Sequence, residues 1–378
     1  MEDRLYVPWE TIGSFITEAF ERVGVPHEEA LICAEILMES DRRGIESHGC
    51  NRFKPIYIDR IREGIMNPVT RFEIIRETPT TAVVDGNNGM GMVIGHKSMA
   101  MAIEKAKKNG MAMIAVRNST HYGIAGYYVT MATKEGLIGI TGTNARPSIA
   151  PTFGVENMLG TNPLTFGLPS DEDFPFVLDC ATSITQRGKI EYYARTGQET
   201  LAGMVIGQDG NTMTDSEQIL MALKNGTAAF APLGGIGEEL GGYKGYGYAT
   251  VVEILSAALQ AGSFMKMLTG IGPEGEKVPY NLGHFFMVID PEAFMGREIF
   301  EKTTGDILRQ LRSSQVAPGE ERIYTAGEKE YLIWLDRKDK GVPLGEAVRK
   351  ELMEIRDELG MDFVFPFEME SRKANGTI

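Results

Sequence analysis

Two short stretches carry the residue types needed for acid–base chemistry on a small anion. The first, Arg117 to Tyr128, reads Arg-Asn-Ser-Thr-His-Tyr-Gly-Ile-Ala-Gly-Tyr-Tyr. His121 lies there beside Ser119, Thr120 and Tyr122, hydroxyls able to fix the tautomer and orientation of an imidazole. In the second, Arg42 to Arg52, His48 stands between Ser47 and Gly49, with Arg52 four residues on. A guanidinium grips a carboxylate through two parallel hydrogen bonds while the imidazole handles a proton. Each stretch also has a plainer reading: a histidine at a helix start, and a polar helix cap followed by a surface arginine.

Further candidates lie along the chain. Phe176-Val177-Leu178 reads as a short strand delivering Asp179, with Cys180, Ala181, Thr182 and Ser183 behind it. That carboxylate could orient a histidine, bind a ribose, or cap a helix predicted from Ile184 to Tyr193. Glycines 234, 235, 237, 241, 242, 245 and 247, with Lys244 among them, suit a cradle for phosphate, or form a tight surface loop. Gly89-x-Gly91-x-x-x-Gly95 between a strand and a helix imitates a dinucleotide fingerprint, and Arg117 would suit a 2′-phosphate. Those glycines, however, stand several residues beyond the strand, and a single βαβ unit surrounds them. Gly283-His284-Phe285-Phe286 begins another strand.

The elements that position these residues follow from periodicity. Helical spacing predicts Pro8–Val23, His27–Asp41 and Asn51–Arg62, the last placing His48 and Arg52 near one helix start. Strands are expected over 80–85, 111–116, 137–143 and 283–290, an apolar run over 164–168, and a strongly apolar, buried helix over Tyr248–Ala261. The last third turns helical again, at 295–312, 328–338 and up to Glu358, and 371–378 reads as a frayed tail. The expectation is a mixed α/β (α+β) fold. A helical domain drawn from residues 1–75 and 305–378 flanks a cofactor-binding middle, 76–304.

Composition narrows the class of partner. The chain has 378 residues, enough for two domains or so, and is 43% hydrophobic and 24% charged. A formal charge of −14 argues against nucleic acid and anionic membranes as partners. No run reaches a membrane span, the N-terminus does not read as a signal peptide, and three cysteines make neither a disulfide framework nor a zinc motif. A cytoplasmic protein without a metal site is expected.

Five ordered motifs carry a resemblance: Ser47-His48-Gly49, Asn118 to Gly123, Gly160-Thr161-Asn162-Pro163, Gly242-Tyr243-Lys244-Gly245 and Gly283 to Phe286. Together, across residues 5–365, they resemble the malate/L-lactate dehydrogenases that lack the usual Rossmann domain, a family that also holds sulfolactate, ureidoglycolate and diketogulonate oxidoreductases. The run from Thr143 to Ser183 is most similar to the malate branch. The resemblance implies a largely antiparallel sheet, NAD or NADP as cofactor, a small 2-hydroxy or 2-keto acid as substrate, and a homodimer. It implies acid–base roles for His48 and His121, with Asp179 beside them. Ser47 and Arg52 would meet the substrate carboxylate, and Arg146 stands where some relatives carry a lysine. Thr120, Val177 to Ser183, Tyr243, Lys244, Gly245, His284 and Pro318-Gly319-Glu320 would contact the cofactor. Glycines 89 to 95 would then be structural turns. A Rossmann reductase using those glycines, or a non-catalytic metabolite-binding protein, are the alternatives.

Overall fold

The computed structural model describes residues 4–369, so the stretch 371–378 lies outside the described residues. Near the start, β1 (Leu5–Val7) leads into α1 (Trp9–Arg22) and α2 (His27–Arg42). In α1, Ile12, Phe15, Ile16, Ala19 and Phe20 recur at helical spacing and all are buried. The next stretch departs from the expected Asn51–Arg62 helix. Tight 3₁₀ turns at Glu46–His48 and Cys50–Arg52 run into a π-helical turn at Phe53–Ile58, and only then into α3 (Asp59–Arg62). Pro55 has no N–H to give an α-helical ladder and its ring crowds the carbonyl four residues back, so regular α-helix begins only beyond it.

The middle of the chain builds one sheet from β2 (Glu73–Glu77), β3 (Thr81–Asp85), β4 (Met111–Ser119), β5 (Ile138–Thr143), β6 (Leu164–Leu168), β7 (Phe176–Cys180) and β10 (Leu282–Ile289). Its order is β2-β3-β4-β10-β5-β6-β7. Only β3 and β4 run parallel, linked by α4 (Gly91–Asn109); every other neighbouring pair is antiparallel. A late strand, β10, thus occupies the centre, with His284 opposite Val116 on one side and Thr143 on the other. The helix α5 (Ala125–Thr133) follows the His121 loop.

A smaller layer holds α6 (Arg187–Arg195), α7 (Ser216–Asn225) and the pair β8 (Val205–Gly207) with β9 (Ala228–Phe230), packed through Ile190, Val205, Ile219 and Phe230. It is followed by α8 (Gly242–Ala257), α9 (Arg297–Arg312) and α10 (Glu328–Arg337), and then by β11 (Val342–Leu344) and α11 (Glu346–Glu358). β11 pairs with β1, joining the two terminal regions. The expected burial of Tyr248–Ala261 is corrected: Tyr248, Val251 and Ile254 are about half exposed, because only the face carrying Ala249, Val252 and Ser256 meets the sheet. The largest apolar cluster runs from Phe15, Phe20, Phe53 and Tyr57 through Met92 and Tyr128 to Ile355 and Phe365. Each such side chain contributes about 1.5–3 kcal/mol by burial, so terminal helices and sheet share one core. No helix among the described residues is long and apolar enough to cross a membrane.

Candidate active site

His121 sits in the loop between β4 and α5, and this loop is clamped at both ends. At its start the Thr120 hydroxyl donates to the Gly89 carbonyl (2.8 Å) and accepts from the Gly91 N–H (2.9 Å). A Cβ on Gly91 would lie 2.2 Å from the Thr120 carbonyl oxygen, so that glycine permits a close crossing of backbones. At its far end the Gly126 N–H, in the first turn of α5, donates to Asp179 Oδ2 (2.7 Å), and the Thr165 hydroxyl donates to Oδ1 (3.1 Å). Asp179 therefore caps α5 instead of the helix that follows it in sequence, and burial pushes its carboxyl up from the usual range.

Beneath the loop lies His284. Its Nδ1 meets the Thr143 hydroxyl and its Nε2 the Ser119 hydroxyl, both at 2.7 Å, and its ring stacks on Tyr122 at 4.6 Å. The residue is fully buried, and burial pushes its pKa down to about 3. Thr120 and His284, both expected at the cofactor, are thus enclosed in the fold with their polar atoms engaged. Arg117 is likewise committed, its Nε donating to Asp85 (2.8 Å). The glycines at 89, 91 and 95 are packing positions: added Cβ atoms would meet Thr70, the Thr120 carbonyl and the Tyr128 ring.

His48 arrives from the terminal part of the chain. The carboxylate of Asp41, buried at the end of α2, accepts the Cys50 N–H (2.9 Å), and a Cβ on Gly49 would fall 2.0 Å from Asp41 Oδ1. Arg337 donates to the Asp41 carbonyl and to Glu46, both at 2.6 Å. Arg52 gives its Nε to the Ser47 carbonyl (2.7 Å), which leaves the outer fork of its guanidinium free for a carboxylate. Burial pushes the Asp41 carboxyl up to about 7, against the opposing pull of the Cys50 hydrogen bonds.

These two constructions bring the histidines face to face, ring centroids 5.7 Å apart and planes 20° from parallel. The Gly123 N–H donates to His121 Nδ1 (3.3 Å), and the Tyr57 hydroxyl lies 2.7 Å from the same nitrogen. An N–H can only donate, so Nδ1 is the acceptor and a neutral His121 carries its hydrogen on Nε2. Ser47 Oγ lies 2.9 Å from His48 Nδ1. Burial, then the charge of Arg52, pushes the His48 pKa down to about 4. His121 is held well below its ordinary value by burial and by His48, Arg60 and Arg52. Both rings are therefore neutral near pH 7.

Tyr57, Arg60 and Asp41 were not evident from sequence. The first two sit three residues apart, just beyond Arg52, on the segment that reads as an amphipathic helix, so Tyr57 passed for core. Of the other expected residues, Arg146 is exposed, with its charge acting on Arg60. Thr182 and Ser183 meet the glycine-rich segment through Leu233: its N–H donates to the Thr182 carbonyl (2.8 Å), and Gly245 packs on the Leu233 backbone. Tyr243 and Lys244 stand exposed in the first turn of α8, and no carboxylate among the described residues pairs with Lys244. The Ser183 hydroxyl is buried and has no hydrogen-bond partner among the described residues. Pro318-Gly319-Glu320 is an exposed turn on the segment whose Ala326 carbonyl accepts the Val177 N–H (3.2 Å). A cavity of about 630 Å³, lined by Arg43, Gly126, Val177, Leu178, Asp179 and Trp334 among others, opens against α5; neither histidine lines it. No group of three His, Cys, Asp or Glu side chains among the described residues could hold a metal ion.

Two neutral imidazoles, a tautomer-fixing tyrosine and nearby guanidiniums on a mixed, largely antiparallel sheet define a proton-transfer site for a small anion. The family model for malate/L-lactate dehydrogenase matches residues 7–353, and the chain belongs to that family. Malate dehydrogenase of Pyrococcus horikoshii is 43% identical over 96% of this chain and 97% of its own. L-sulfolactate dehydrogenase of Methanocaldococcus jannaschii is 38% identical over 93% and 97%. The crystal structure of malate dehydrogenase from Entamoeba histolytica superposes with a TM-score of 0.91 at 44% identity, covering 96% of this chain and all of that one. The protein is accordingly an oxidoreductase of small 2-hydroxy and 2-keto acids that works with a nicotinamide cofactor.

Proposed function

We propose that this enzyme interconverts malate and oxaloacetate with NAD or NADP, His48 and His121 sharing the proton chemistry. The observation that carries the reading is the stacked histidine pair with Nδ1 of His121 occupied by Gly123 and Tyr57. His121 presents its Nε2–H to the substrate oxygen and stabilises charge as it develops there. His48, held neutral, accepts the hydroxyl proton in oxidation and returns it in reduction. Arg52 fixes the carboxylate next to the reacting carbon, and Ser47, beside it, orients the His48 ring. The cofactor supplies the hydride donor and acceptor when bound.

The residues fit such a cofactor. Lys244 offers an uncompensated charge at a helix start, suited to phosphate, and the Ser183 hydroxyl is a buried polar group without a partner of its own. Tyr243, Gly245, the segment Val177 to Ser183 and Pro318-Gly319-Glu320 complete the set. The half-exposed apolar face of α8, with Tyr248, Val251 and Ile254, supports a homodimer. The test is oxidation of NADH and of NADPH with oxaloacetate, pyruvate and 3-sulfopyruvate, followed by loss of reduced-cofactor absorbance. Turnover of oxaloacetate is expected, whereas no turnover of any keto acid with either cofactor would refute the reading. Lys244→Ala should weaken cofactor binding, with a deficit that shrinks at high salt as the charge is screened.

A further inference from the structure

Most arginines of the described residues are paired with a carboxylate, and three that are not act on one region. Around α3, Lys54 meets Asp59 (3.1 Å), Arg62 meets Glu358, and Glu63 is taken by Lys277 (2.5 Å). Arg60, between them, has no carboxylate partner among the described residues. Its guanidinium carbon lies over the Tyr280 ring, 4.4 Å from the centroid. Arg52 and Arg146 also lack a carboxylate partner among the described residues. The three act electrostatically on one another or on His121: Arg146 on Arg60, and Arg60 and Arg52 on His121. Withdrawing a guanidinium from water without a counter-ion is costly, yet Glu63, the carboxylate whose charge acts on Arg60, is paired with Lys277.

Arg52 accounts for one carboxylate, that beside the reacting carbon. A substrate with no other charge would leave Arg60, whose charge acts on His121, uncompensated. We propose that Arg60, braced on Tyr280 and assisted by Arg146, binds the distal anion of a doubly charged 2-keto acid, a carboxylate or a sulfonate, and so selects such substrates over monoanions. A planar guanidinium braced over an aromatic ring loses less freedom on making two parallel hydrogen bonds to such a group, which a lysine could not make. Tyr57 and Arg60 lie three residues apart across the join of the π turn and α3, so one short segment fixes the His121 tautomer and reads the substrate's far end.

This rests on the 2-keto acid reading above, and the test separates the two. Wild type, Arg60→Gln, Arg60→Lys and Arg146→Gln are assayed with oxaloacetate, 3-sulfopyruvate and pyruvate, with thermal unfolding measured in parallel. Arg60→Gln should lower kcat/KM for the dianionic acids about 10²-fold and for pyruvate at least tenfold less, so that selectivity collapses. Arg60→Lys should recover part of the loss, and Arg146→Gln should shift selectivity in the same direction by less. Losses falling only on oxaloacetate or only on 3-sulfopyruvate identify which distal anion is read. Equal losses on all three acids, or none, would overturn the proposal, as would a wild type that handles pyruvate as well as oxaloacetate. If Arg60→Gln proves unstable, the Arg146→Gln selectivity decides by the same criteria. A wild type inactive on every keto acid refutes the parent reading instead.

Discussion

The two histidines of the site are held by very different kinds of structure. His121 rests on the sheet, its loop tied at Thr120, Gly126 and Tyr122 and underlain by the buried His284. His48 rides on a run of 3₁₀ and π turns, secured by Asp41, Arg337 and Arg52. Regular packed elements change position reluctantly, whereas short irregular turns open at low free-energy cost. The sheet thus holds its histidine on regular packed elements, and the terminal segment holds its own through side-chain hydrogen bonds to irregular turns.

Removing either imidazole tests the sharing of roles and should give the largest effect. His48→Ala and His121→Ala should each lower kcat by ~10²-fold or more with the fold retained. Near-normal turnover in both would remove the pair from the chemistry. A smaller but more selective effect is expected from Tyr57→Phe, which deletes only the hydroxyl facing His121 Nδ1. The rate should fall about tenfold and its pH profile should move, because one donor fixing the tautomer is gone while Gly123 remains. An unchanged profile would show that the glycine alone suffices.

The contrast also predicts a pH signature for the sheet side. His284→Leu leaves the Ser119 and Thr143 hydroxyls without their partner and should cost roughly 2–4 kcal/mol near pH 7. In the folded protein His284 stays neutral down to about pH 3, whereas an unfolded histidine gains its proton near pH 6.5. Below pH 6.5 protons therefore favour unfolding of the wild type, and its stability from this group is full above that value and falls toward pH 3. The leucine variant lacks this penalty, so its deficit should shrink between pH 7 and 4 in denaturant titrations. A deficit that grows on acidification would show that the imidazole is charged in the fold. Arg52→Lys should give the mildest of these changes, a higher KM for keto acid with a lower kcat and cofactor binding unaltered.

Much of this architecture is written locally. Met111–Val116 announces itself as a strand by its short apolar run, and Trp9–Arg22 as a helix because one face is apolar at the right period. The clustering of small and polar residues around His48 and His121 marks loops that bear chemistry. What sequence hides is whatever depends on partners far away in the chain. Pro55 is the one local sign that Asn51–Arg62 is not one helix, and the π turn that holds it also carries Tyr57, which meets His121. The exposure of Val251 and Ile254 was unreadable because an apolar helix gives no sign of whether its second face meets the same chain. For Asp179 the sequence offers a histidine partner, a ribose contact or a cap for the next helix; only the folded strand order shows that it reaches back to α5.

The pairing of β1 with β11 bears on how the chain reaches this state. Leu5 stands opposite Leu344, and the Trp9 indole donates to the Arg337 carbonyl (3.0 Å). Phe365, against Phe15, also closes the core from late in the chain. A nascent polypeptide emerging from the ribosome cannot form these contacts until the region beyond Leu344 has been made, so α1 and α2 wait with Phe15 and Phe20 uncovered. Non-local closure of this kind slows folding and lengthens exposure of sticky surface. The same clasp couples the His48 segment to the far end of the chain through Arg337, so the earliest-made half of the active site is among the last parts to become competent.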